Sequence, residues 1–91
     1  MTFTEWLGNI DRRPLRQIRD NTARINRVES CLCVNLETEY SNDECESILE
    51  KLVTSNADFL KTVDLPTDMA GLSSLKTSVR KFVKYCKYCK T

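Results

Sequence analysis

Hydrophobic residues along this chain recur at steps of three and four, the spacing of one face of an α-helix. The clearest stripe runs Leu15, Ile18, Thr22, Ile25, Val28 and Leu32. A second runs Leu72, Leu75, Val79, Phe82 and Cys86, and Val83 widens it. Two shorter stripes are Phe3, Trp6 (or Leu7) and Ile10, and then Cys45, Ile48, Leu49, Leu52 and Val53. Helices are therefore predicted over roughly 3–9, 14–33, 42–55 and 69–88. The punctuation agrees with these limits. Thr2 or Thr4 can cap the first helix, and Gly8 lies near its end. Pro14 suits a first turn, and Ser41 or Asn42 can cap the third helix, with Asp43, Glu44 and Glu46 behind it at the positive end of the dipole. Pro66 forbids continuation, and Thr67 or Asp68 can cap the last helix. Residues 54–68 read as a connection anchored by Phe59, Leu60, Val63 and Leu65. The expected fold is all-α, a compact single-domain bundle of four to five helices.

Composition supports that reading and narrows it. The chain has 91 residues, room for one domain, with 41% hydrophobic and 30% charged residues. Two glycines and two prolines are too few for the many turns of an all-β fold. No stretch approaches the roughly 20 apolar residues of a membrane span, or the h-region of about 7 in a signal peptide. The expectation is a cytoplasmic protein with no membrane partner. Trp6 reads as a core anchor closing the bundle, with a base-stacking platform as the alternative.

The net charge of +1 conceals a segregation. Residues 1–35 carry six arginines against four acids, residues 36–68 nine acids against two lysines, and residues 69–91 five lysines and one arginine with no acid. On the second helix Arg16, Arg19, Arg24 and Arg27 fan across the face opposite the apolar stripe, with Asp20 among them and Arg12 and Arg13 just before the start. Such a row is either a solvated face or a surface for an anion, and arginine is the better bidentate phosphate ligand. On the last helix the dipole accounts for Lys84, Lys87 and Lys90 near its C-terminus, but not for Lys76, Arg80 and Lys81. If the basic ends meet in the fold, they form one positive face with the acidic middle turned elsewhere.

Catalytic chemistry has little to work with. There is no histidine, and Glu37, Glu39, Asp43, Glu44 and Glu46 show none of the spacing that paired carboxylates need around a cleft. No enzyme activity, cofactor or small-molecule substrate is expected. Five cysteines leave alternatives open. They are small core or surface thiols, or else Cys31, Cys33, Cys86 and Cys89 hold a tetrahedral zinc ion, or the Cys86–Cys89 pair is a redox motif. The CxxC spacing fits zinc well and the CxC spacing less so.

The order of these pieces resembles a known domain. Phe3 through Trp6-Leu7, then Ile18–Glu29, the leucine at 36, and Ser73-Ser74-Leu75-Lys76 leading to Val79-Arg80-Lys81-Phe82 match its pattern. It is the SAM-like helical core-binding domain of phage integrases and other tyrosine recombinases, with similar versions in restriction-type and prophage proteins. The resemblance spans residues 3–82, as a pattern of helix faces. It implies a DNA clamp in which Arg16, Arg19, Arg24, Arg27, Lys76, Arg80 and Lys81 contact phosphates. Two features depart from the pattern. Asn21 stands where an aromatic residue is frequent, and the near-neutral charge is low for a free-standing DNA binder. The expectation is a non-enzymatic DNA-binding domain. The alternative is a protein-interaction module docking through its apolar surface or its acidic one, around Glu37, Glu39, Glu44 and Glu46.

Overall fold

The computed structural model describes residues 1–90, excluding the side chain of Lys90. α1 spans Phe3–Asn9 and opens with a reciprocal cap. The Thr2 hydroxyl accepts from the Glu5 N–H at 3.1 Å, and the Glu5 carboxylate accepts from the Thr2 N–H at 3.3 Å. Gly8 lies one residue before the end of this helix, facing Ile18 of the next one. α2 spans Leu15–Leu32, with Pro14 preceding it, and ends on Cys33 in the left-handed conformation. The Glu29 carboxylate then accepts from the Leu36 N–H at 2.9 Å and steers the chain into the next turn.

The third predicted helix is the main correction. The helix expected over 42–55 is shortened to α4 (Glu46–Lys51), and an unexpected helix, α3 (Leu36–Asp43), precedes it. The N-cap is Asn35, whose side chain accepts from the Thr38 N–H at 3.0 Å, and Ser41 and Asn42 lie inside α3. The break is made by Glu44 and Cys45, both left-handed, with φ of 57° and 66°. Left-handed backbone costs an L-residue about 1–2 kcal/mol. The offsetting gain is burial. The turn swings Cys45 inward beside Leu36, whose carbonyl accepts from its thiol at 3.6 Å, and aims Ile48 and Leu52 into the core. Asp43 caps the new helix through the backbone and hydroxyl of Ser47. These hydrogen bonds hold its carboxyl below the usual range.

The expected connection also carries structure, namely a 3-10 turn (Thr54–Asn56) and α5 (Ala57–Thr62). Its buried anchors are Leu60 and Leu65, while Phe59 is 42% exposed. α6 spans Met69–Lys90. Asp68 accepts from the Gly71 N–H at 2.8 Å, and Pro66 sits so close that a Cβ on Gly71 would lie 2.7 Å from it. The described residues thus form six α-helices and no strand, in a compact all-α globule; the expected count was four to five.

The core lies between α2 and α6, which run antiparallel, and α1 closes one end. Phe3, Trp6, Phe82 and Tyr85 form an aromatic cluster with ring centroids 5.4–6.3 Å apart. At 5% exposure Trp6 presents no face for a base to stack on. At the crossing, Ser78 donates its hydroxyl proton to Asn21 Oδ1 at 2.8 Å, and Asn21 Nδ2 donates to the Gln17 carbonyl at 2.8 Å. Both residues are buried, so this is a satisfied polar bridge between the two longest helices. Asn21→Ala and Ser78→Ala should each cost about 1–3 kcal/mol, since each orphans a buried partner. The double variant should cost less than the sum, and additive losses in urea unfolding would show that the bridge carries no coupling.

Candidate nucleic-acid interface

The outer face of α2 carries a run of arginines that form no ion pair among the described residues. Arg16 and Arg19 are exposed and Arg24 is half-buried, and exposed Asp20 stands four residues from both Arg16 and Arg24 without pairing with either. Among the described residues there are three ion pairs, and none involves these arginines. Exposed Arg12 and Arg13 extend the row past the start of the helix, and Arg13 pairs with Asp11 at 2.8 Å. Arg27 is tied down differently. Its guanidinium donates at 2.9 Å to the carbonyl of Asp64, a left-handed residue in the α5–α6 connection, toward which the Cys31 thiol also points.

The three α6 cations do not join this face. Lys81, 17% exposed at its side chain, is bound to Asp11 at 2.8 Å. Burial pushes the Asp11 carboxyl up, but hydrogen bonds from Lys81 and Arg13 outweigh it and hold the group below its ordinary 3.8. Lys76 and Arg80 lie on another flank of α6, lining a trough beside α4 with Leu49, Val53, Glu46 and Glu50. The reason is helical geometry, because at about 100° per residue Lys81 sits about 140° around the axis from Lys76. Nor is the acidic middle turned away from the basic end. Glu44 meets Lys87 at 3.1 Å, a pair more than half exposed and worth little. So the seven expected contacts separate into four on α2, two facing α4, and one neutralised. Sequence reasoning missed Asp11 as the counter-ion; its position between α1 and Arg12-Arg13 was the available signal.

The structure does not bring the four zinc candidates together. Cys31 and Cys33 lie at the C-terminal end of α2, whereas Cys86 and Cys89 lie in the last turns of α6. Because these helices run antiparallel with Asn21 opposite Ser78, the two thiol pairs extend from the crossing in opposite directions. No group of three or more possible metal ligands forms among the described residues. Cys45 and Cys86 are core residues. Burial, aided by the nearby Cys86, Asp43 and Glu39, pushes the Cys45 thiol up to about 12. Titration with a disulfide reagent at neutral pH should therefore label exposed Cys33 and Cys89 rapidly, and Cys45 and Cys86 only in denaturant. Rapid labelling of Cys45 in the native protein would contradict this packing.

An apolar groove of about 420 Å³ runs between α1 and α2, lined by Leu15, Ile18, Ala23 and the paired hydroxyls of Thr4 and Thr22, with Arg19 at its edge. A larger, open depression of about 660 Å³ lies over the end of α3, where Asp43 accepts from the Ser47 N–H. No helix among the described residues is long and apolar enough to cross a membrane. No protein-family model, curated protein or solved structure matches this chain. Its own surface is therefore the guide to its function.

Proposed function

We propose that this chain is a non-enzymatic binding module that docks on the sugar-phosphate backbone of DNA through the outer face of α2. The observation that carries the reading is the set Arg16, Arg19 and Arg24, which have no counter-ion within 4.0 Å among the described residues, with exposed Arg12 beside them. Helix stability does not account for this arrangement. The first turn of α2 has no acid and no side-chain cap, and the dipole there disfavours a cation such as Arg16 by about 0.3–1 kcal/mol. A bound phosphate reverses that sign, because the amide end of the helix and the guanidinium groups then act together. The resemblance of residues 3–82 to recombinase core-binding domains supports the same reading. The footprint is smaller than the expected seven residues, since Lys76, Arg80 and Lys81 face elsewhere.

If four phosphates are neutralised, the log–log salt slope is about −3.6. Raising the salt from about 50 to about 200 mM should then weaken binding to a labelled duplex roughly 100-fold. Absence of binding at the lower salt removes the proposal.

A protein partner is the second reading, and the α1–α2 groove favours it. Leu15, 60% exposed, adjoins Arg19 there, a combination suited to an acidic amphipathic segment. Leu15→Asp separates the two readings, since it should abolish such docking yet leave the salt slope on duplex DNA nearly intact.

A further inference from the structure

Lys76 and Arg80 need a role of their own, because they lie away from the α2 face. Two shallow depressions of about 270 and 290 Å³ share Val53, Lys76 and Arg80, and so form one trough between α4 and α6. Its apolar surface comes from Leu49 and Val53, both half-buried, and from Met69, which is 76% exposed. Glu46 and Glu50 stand on the α4 side, and Lys76 and Arg80 on the α6 side. The two sides do not approach within 4.0 Å to form an ion pair. An apolar seam therefore runs between a negative and a positive edge that leave each other unneutralised.

We propose that this trough is where two copies of the chain associate, across a two-fold axis running along the seam. The charge arrangement selects both the occupant and the axis. Two identical faces meet through a rotation axis lying in their interface. An axis along the seam exchanges left and right edges, and sets Lys76 and Arg80 of one copy over Glu46 and Glu50 of the other. An axis across the seam stacks like charge on like and is repelled. In the selected arrangement Leu49, Val53 and Met69 meet their own equivalents at the dry centre, with four charge clusters at the rim. The contact is small, so the association is weak and salt-sensitive.

Sedimentation velocity over a concentration series at low salt tests this. The wild type should show a dimer that grows with concentration and recedes as salt is added. Lys76→Glu/Arg80→Glu alone, and Glu46→Lys/Glu50→Lys alone, should each be monomeric, since both edges then carry one sign. An equimolar mixture of the two should dimerise more tightly than the wild type. Met69→Asp, at a position too exposed to disturb the core, should weaken the wild-type dimer at least tenfold. A wild type that stays monomeric up to about 1 mM overturns the proposal. So does a Met69→Asp variant that dimerises like the wild type, or a mixture of folded charge variants that stays monomeric.

Discussion

Trp6→Ala is expected to destabilise the protein by about 3–5 kcal/mol, the cost of removing a buried aromatic side chain and leaving a cavity. Trp6 is 5% exposed and lies 6.3 Å from Phe3 and 6.2 Å from Tyr85, between centroids. α1 is only seven residues long, too short to be stable by itself, and it holds to the bundle through Phe3, Trp6 and Leu7. Losing the indole therefore frees a whole element as well as opening a hole. A chain of 91 residues has roughly 5–14 kcal/mol in total, so the variant should be partly unfolded on mild warming. Trp6→Phe should cost clearly less, because the indole N–H has no hydrogen-bond partner among the described residues and none is lost. Circular dichroism in urea measures both variants. A loss below about 1 kcal/mol for alanine would mean that α1 is not anchored in this way.

The second large effect concerns function. Arg16→Glu/Arg19→Glu/Arg24→Glu should eliminate duplex binding at physiological salt and reduce the salt slope from about −3.6 to about −0.9, since one phosphate contact remains. The dipole favours glutamate at position 16, in the first turn of α2. Glutamates at 16 and 24 each stand four residues from Asp20, which disfavours them by about 0.2–0.5 kcal/mol each. Thermal unfolding of the variant should therefore show a folded protein of stability close to the wild type, so that the loss of binding is read on folded protein. Lys76→Glu/Arg80→Glu is the matched control. Below the concentrations of self-association it should leave the slope unchanged, as those residues face α4. Equal losses from both sets would restore the single shared face that the charge blocks suggest and count against confining the site to α2.

Much of the architecture is legible in the residue pattern, and the departures have a common cause. The long stripes of α2 and α6 repeat often enough to specify helices before any tertiary contact exists. The segment from Cys45 to Val53 keeps helical spacing and forms α4, yet the chain separates it from α3 at Glu44-Cys45, with neither glycine nor asparagine at the left-handed positions. No local signal marks that turn. It is stabilised by Leu36, Cys45, Ile48 and Leu52, which all reach zero exposure only when α3 and α4 separate. Asn21 is similar. It stands out only as a departure from the recombinase pattern until Ser78, 57 residues away, is found opposite it.

The candidate site divides along the same line. That Arg16, Arg19 and Arg24 fan over about 140° of α2, with Arg16 between the other two, comes from about 100° per residue and needed no fold. Whether α6 adds its cations to that face depends on how α6 is rotated and what flanks it. By itself, then, the sequence determined the helical class, the long helices and the arginine row, because these rest on periodicity within one element. Only the tertiary structure decided the α3–α4 break, the neutralisation of Lys81 by Asp11 and the turning of Lys76 and Arg80 toward α4. Those depend on which surfaces must be buried against one another, a condition that no single segment contains.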